Sequence, residues 1–157
     1  MAAITSPARP SRRGILVLGG AALAGGAIFA SNWYNLGASM QAGQLSVQDA
    51  HAQAVAGQIL LIDIRRPDEW ARTGVGVGAV PLDMRRPDFT DVLQALTEGN
   101  SDRPIALICA RGVRSRHLAG RLYAAGFSQI IDVPEGMMGS GAGPGWLRAG
   151  LPVVAKG

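Results

Sequence analysis

Two short apolar runs limit what this chain can fold into more than any other feature. Ile59-Leu60-Leu61-Ile62-Asp63-Ile64 and Pro104-Ile105-Ala106-Leu107-Ile108 are rich in β-branched residues and lack the alternation of a half-exposed strand. Such runs suit strands covered on both faces, the condition met in parallel sheets flanked by helices. Between and around them lie segments with helical signals. Val47 to Val55 follows a capping Ser46, answered three residues on by Asp49, and stops at Gly57. Phe89 to Leu96 starts near Asp88 and is ended by Gly99. From Ser115 to Ala125 the apolar residues Leu118, Leu122 and Tyr123 recur at helical spacing before Gly126. Gln129 to Val133 reads as a third strand, and a short extended piece around Ala79 to Pro81 follows the glycine-rich stretch from Gly74. A helical turn is expected at Gly145-Trp146-Leu147-Arg148 in a tail rich in Gly and Met. Strands alternating with helices predict an α/β fold with a mainly parallel sheet.

With 157 residues, the chain has room for one ordinary domain and a short appendage. Its formal charge of +4 is unevenly spread. Arg9, Arg12 and Arg13 give residues 1–30 a charge of +3 with no acid, leaving 12 basic against 11 acidic residues, or +1, in residues 31–157. The body is therefore nearly neutral, and the basic balance is no argument for nucleic-acid binding. One cysteine excludes an intramolecular disulfide, and one cysteine with two histidines, His51 and His117, makes no zinc-type ligand cluster.

Residues 1–30 read as a signal peptide or membrane anchor. A basic start ends in Ser11-Arg12-Arg13, and Gly14 to Ala30 then runs 17 residues without a charge. SRRGIL, with Leu16 in place, resembles a twin-arginine export signal. Ala30 could close a cleavage site, whereas Trp33 and Tyr34 would suit the interface beside an uncleaved helix anchored in the inner membrane. Either outcome places the body in a bacterial periplasm. Residues 31–43 are read as a linker and 44–154 as the folded domain.

Cys109 stands at the end of the second buried run, at the head of Cys109-Ala110-Arg111-Gly112-Val113-Arg114-Ser115, which feeds a helix. Ligands of open α/β sheets bind beyond the carboxyl ends of the strands. Unpaired N–H groups of the loop and first helical turn can form an anion-binding nest. Gly112 allows a backbone shape closed to other residues, and Arg111 and Arg114 add positive charge. These features favour thiolate over thiol and mark a nucleophile. They leave open whether it handles sulfur, phosphate or arsenate.

The loop CARGVRS resembles the rhodanese active-site loop, C-R-x-G-x-R-S in single-domain members. LLIDIRRPDEWARTG, residues 60–74, is similar to that family's L-I-D-V-R-x-x-x-E-[WFY] element. PEGMMGSGAGPGWLRAGLPV, residues 134–153, is similar to its closing G-G-x-x-x-W-x-x-x-G-x-P-V segment. The resemblance implies a five-stranded, mainly parallel sheet with helices on both faces, and a two-step sulfur transfer without cofactor or metal. Carried over, Cys109 takes a sulfane sulfur as a persulfide, from thiosulfate or a similar donor, and passes it to a thiol, cyanide or a protein acceptor. Backbone amides of Ala110, Arg111, Gly112, Val113, Arg114 and Ser115 would hold the donor and the persulfide, with Ser115 donating a hydrogen bond and capping the helix. Phosphatases and arsenate reductases of related fold use a longer C-x5-R loop, whereas four residues separate Cys109 from Arg114.

This sequence departs from the family at Ala110, where a basic residue is common, and at Arg111, which is often small or polar. The usual G-H-I-P-G-A stretch is here Gly74-Val75-Gly76-Val77-Gly78-Ala79. Asp63, Arg65 and Glu69 fall on the family's charged pairings and are expected to brace the loop scaffold. Met137 and Met138 are expected to pack rather than bind copper, and His117 to be a solvated helix residue. Two rival functions remain: a sulfur-carrier or binding module with little free turnover, and a redox-sensing thiol.

Overall fold

The computed structural model describes residues 43–156. The expected signal or anchor at 1–30, and the linker except for Gly43, lie outside the described residues. The elements in chain order are β1 (Gly43–Gln44), α1 (Val47–Val55), β2 (Leu60–Asp63), α2 (Pro67–Thr73), β3 (Val75–Gly76), β4 (Ala79–Pro81), α3 (Phe89–Leu96), β5 (Ile105–Ile108), α4 (Val113–Ala124), β6 (Ile130–Asp132), α5 (Gly145–Arg148) and β7 (Val153–Val154). Five of the strands form one sheet in the order β1-β6-β5-β2-β4, every neighbouring pair parallel. β3 and β7 make a separate antiparallel ribbon.

The two apolar runs form the centre of the sheet, in register with Leu61 beside Ala106 and Ile62 beside Leu107. Every residue of β2 and β5 is buried. Alternate side chains serve opposite faces, as the two-residue period of a strand requires. Leu60, Ile62, Ile105, Leu107 and Ile130 pack with Phe89 and Leu93 of α3 and Leu118 and Leu122 of α4. Leu61, Ala106, Ile108 and Val133 pack with Val47 and Ala50 of α1 and Trp146 of α5. Helices thus cover both faces, and no edge of the two central strands meets water.

α1 and α3 have the expected bounds, and Ser46 caps α1 by accepting a hydrogen bond from the Asp49 amide at 3.1 Å. Three pieces escape the sequence reading. α2 opens with Pro67 at its first turn, a position where the missing N–H costs nothing. β1 begins at Gly43 and adds a two-residue edge beside β6. Val75–Gly76 pairs with Val153–Val154 and ties the tail to the body. α4 begins at Val113, two residues before the expected start. No helix among the described residues is long and apolar enough to cross a membrane.

Candidate active site

Parallel strands all end on the same side, and there Cys109, just past β5, and Asp132, at the end of β6, lie on the sheet face covered by α4, while Asp63, at the end of β2, belongs to the opposite face. Cys109 follows β5 directly and is 1% exposed. The chain then turns through Ala110 and Arg111 to Gly112, whose φ of 79° lies in the left-handed region that only glycine adopts freely. This turn aims the Gly112 N–H at the Cys109 sulfur, 3.1 Å away. The Ser115 hydroxyl lies 3.6 Å from the same sulfur and donates to the Gly112 carbonyl at 3.0 Å. Gly112 is the N-cap of α4, so Ser115 lies inside the first turn. Ser115 therefore donates a hydrogen bond as expected but does not cap the helix, because the helix starts ahead of it.

The loop rests on a second glycine turn. Gly136 has φ 68°, and a Cβ there would fall 2.6 Å from the Ala110 carbonyl carbon and oxygen. The close approach lets Met137 donate its amide to the Cys109 carbonyl and Met138 donate its amide to the Ala110 carbonyl, both at 2.9 Å. Met137 is fully buried and packs with Trp146, whereas Met138 is 39% exposed beside the loop. The expectation of two packing methionines therefore holds for Met137 alone.

Charge is placed by side chains in and just before α2, one of them paired with Arg114 of α4. Arg114 donates to both oxygens of Glu69, at 2.8 and 2.7 Å. That contact holds the Glu69 carboxyl below its usual range, against the opposing effect of burial. The same contact, with the Cys109 sulfur nearby, raises the already basic Arg114. Arg114 therefore faces the sulfur while tied to Glu69. Arg65, buried at 1% exposure, donates to both oxygens of Asp63 and to Thr73 Oγ1 and the Gly74 carbonyl. Asp63, Arg65 and Glu69 thus sit in the expected charged pairings, with Glu69 reaching across to the loop. Arg111 is exposed on the outer side of the loop, Ala110 and Val113 are half-buried, and His117 is exposed on α4.

Asp132, at the end of β6, was not singled out from the sequence. It is 2% exposed, and neither carboxylate oxygen has a hydrogen-bond partner. A charge inside an otherwise apolar strand, Ile130-Ile131-Asp132-Val133, was the available signal. Among the described residues, no group of three or more His, Cys, Asp or Glu side chains is placed to hold a metal ion.

A half-buried loop of amides and positive charge closing on one sulfur can stabilise a negative sulfur atom, or a second sulfur attached to it. The Rhodanese-like domain family matches residues 46–140. Over 58 residues the chain is 36% identical to a thiosulfate sulfurtransferase, GlpE, of Actinobacillus pleuropneumoniae serotype 3, covering 37% of this chain and 48% of that protein. The chain thus spans about half the length of this curated relative. The polysulfide-sulfur transferase homodimer of Wolinella succinogenes superposes with TM-score 0.61 and 25% identity, over 83% of this chain and 90% of that one. The rhodanese-like domain of the Anabaena sp. Alr3790 protein shares the fold, with TM-score 0.56 and 18% identity over 72% of this chain and 79% of its own. With the matched segment spanning both central strands, the cysteine loop and the glycine turn beneath it, the chain belongs to the rhodanese-like domain family.

Proposed function

We propose that the protein is a sulfurtransferase that carries sulfane sulfur on Cys109. The observation that carries this reading is the Gly112 amide held 3.1 Å from the Cys109 sulfur in a loop with four residues between cysteine and arginine. A loop of that length suits a sulfur atom on the cysteine better than a tetrahedral oxyanion. The thiolate attacks the outer sulfur of thiosulfate or a similar donor, a new S–S bond forms, and sulfite leaves with the electron pair of the broken bond. The persulfide lies among the loop amides until a thiol, cyanide or a protein acceptor attacks its outer sulfur and returns the thiolate. Likeness to proteins described as thiosulfate and polysulfide transferases supports a sulfane donor.

The twin-arginine pattern at Ser11-Arg12-Arg13 and the uncharged run 14–30 support export, placing the domain in the periplasm, free or anchored to the inner membrane. A carrier role is the second reading. It is favoured by the 1% exposure of Cys109, which suits handover to a docked acceptor more than free turnover.

Intact mass after thiosulfate treatment tests the proposal. A gain of one sulfur atom, removed by cyanide and missing in a folded Cys109→Ser variant, is expected. The absence of an adduct with several sulfane donors would overturn it. Multiple turnovers with cyanide then distinguish the enzyme from the carrier.

A further inference from the structure

The unpartnered Asp132 carboxyl shares a buried corner with the Cys109 sulfur. The side chains of Ile130 and Asp132 point to the same face of β6, and Ile130 packs against α4, so Asp132 looks toward the first turn of that helix. Ser115 is the buried hydroxyl of that turn. Its one proton has three claimants: the Gly112 carbonyl at 3.0 Å, the Cys109 sulfur at 3.6 Å, and the Asp132 carboxyl it faces. A protonated carboxyl can donate to the Ser115 oxygen and leave the hydroxyl proton for sulfur. An ionised carboxyl can only accept, and so competes for that proton.

We infer that Asp132 is a positioning residue for Cys109: its ionisation turns the Ser115 hydroxyl from the sulfur to the carboxylate and weakens the hold on a sulfur anion. The step moves one proton, from the carboxyl to solvent, and reverses when it returns. Burial pushes the Asp132 carboxyl up to about 6, opposed by the Ser115 hydroxyl and the Arg116 guanidinium, which puts the exchange close to neutrality. Other groups leave the corner to these few. β1 and β5, the strands beside β6, carry no charge. From α4, Arg116 acts on the carboxyl, Arg114 is tied to Glu69, and His117 is exposed. Glu135, the next acid along the chain, accepts instead from the Val47 and Gly145 amides.

The inference rests on Cys109 being the working nucleophile. Its test is alkylation of Cys109 by iodoacetamide, which reads the sulfur whether or not sulfur transfer occurs. Persulfide loading from thiosulfate reads the proposed function separately. In the wild-type protein the logarithm of the alkylation rate is expected to bend near pH 6. Asp132→Asn should remove the bend and raise the rate at pH 7 about threefold, because a better-held sulfur anion is more abundant although less nucleophilic. Asp132→Ala carries the same expectation should the Asn variant not fold. In a Ser115→Ala background the rise should fall to less than half. A wild-type profile without the bend, a bend that survives Asp132→Asn, or a rise undiminished without Ser115 would each overturn the inference.

Discussion

Glu69 holds Arg114 by both terminal guanidinium nitrogens, bridging 45 residues of sequence and tying helix α2 to the first helical turn after Cys109. The pair is partly wet, with Arg114 32% and Glu69 12% exposed. A charged, bidentate contact of this kind contributes on the order of 1–2 kcal/mol after allowance for solvent screening. Because the folded protein holds the Glu69 carboxyl below its usual range, the contribution is present above about pH 4.5 and is lost as pH falls through the lowered value. Glu69→Gln should therefore lower stability at pH 7, and its denaturation midpoint should converge with that of the wild type in acid. Parallel urea titrations at pH 7 and pH 3 check this.

Arg65 and Asp63 offer the sharper stability contrast. Both are fully buried, and Arg65 also holds Thr73 and the Gly74 carbonyl at the end of α2. Arg65→Met strands a buried carboxylate and should cost about 3–5 kcal/mol. Joint replacement with Asp63→Leu should cost less than the sum of the single changes, as a thermal-melt double-mutant cycle will show.

Gly112→Ala tests the loop itself. A left-handed residue with a Cβ costs about 1–2 kcal/mol, and relaxing that strain turns the amide away from the sulfur. The variant should lose persulfide loading and slow alkylation at neutral pH well beyond its loss of stability. Unchanged alkylation would mean that this amide does nothing for the sulfur.

Asp132 should be a stability defect at neutral pH. A carboxyl that ionises at about 6 rather than 3.8 favours the folded state most below about pH 4, and that advantage is lost as pH rises to about 6. The difference of about two units corresponds to up to about 3 kcal/mol. Asp132→Asn should accordingly raise the unfolding free energy at pH 7, with the gain vanishing near pH 4.

The parts legible in the sequence were those whose pattern is local. The β2 and β5 runs, the Ser46 cap and the loop from Cys109 to Ser115 each carry their signal within a few residues. α2 was missed because Pro67–Thr73 buries only Trp70 and so has no apolar stripe to read. The two-residue strands β1, β3 and β7 exist only because a distant strand supplies the partner. The Glu69–Arg114 contact and the burial of Asp132 likewise arise from chain crossings far apart in sequence. Arg114 was legible as loop charge, but its bond to Glu69 was not.

A peptide group has two ends, and the turn at Gly136 holds one end of two of them. In a trans peptide the carbonyl and the following N–H point in opposite directions. Fastening the Cys109 and Ala110 oxygens to Met137 and Met138 therefore also fixes the direction of the Ala110 and Arg111 N–H bonds. The dipoles of these units cannot swing round to meet a charge that comes and goes on sulfur. They are oriented before any charge develops on the sulfur, and the cost of orienting them is met once, during folding.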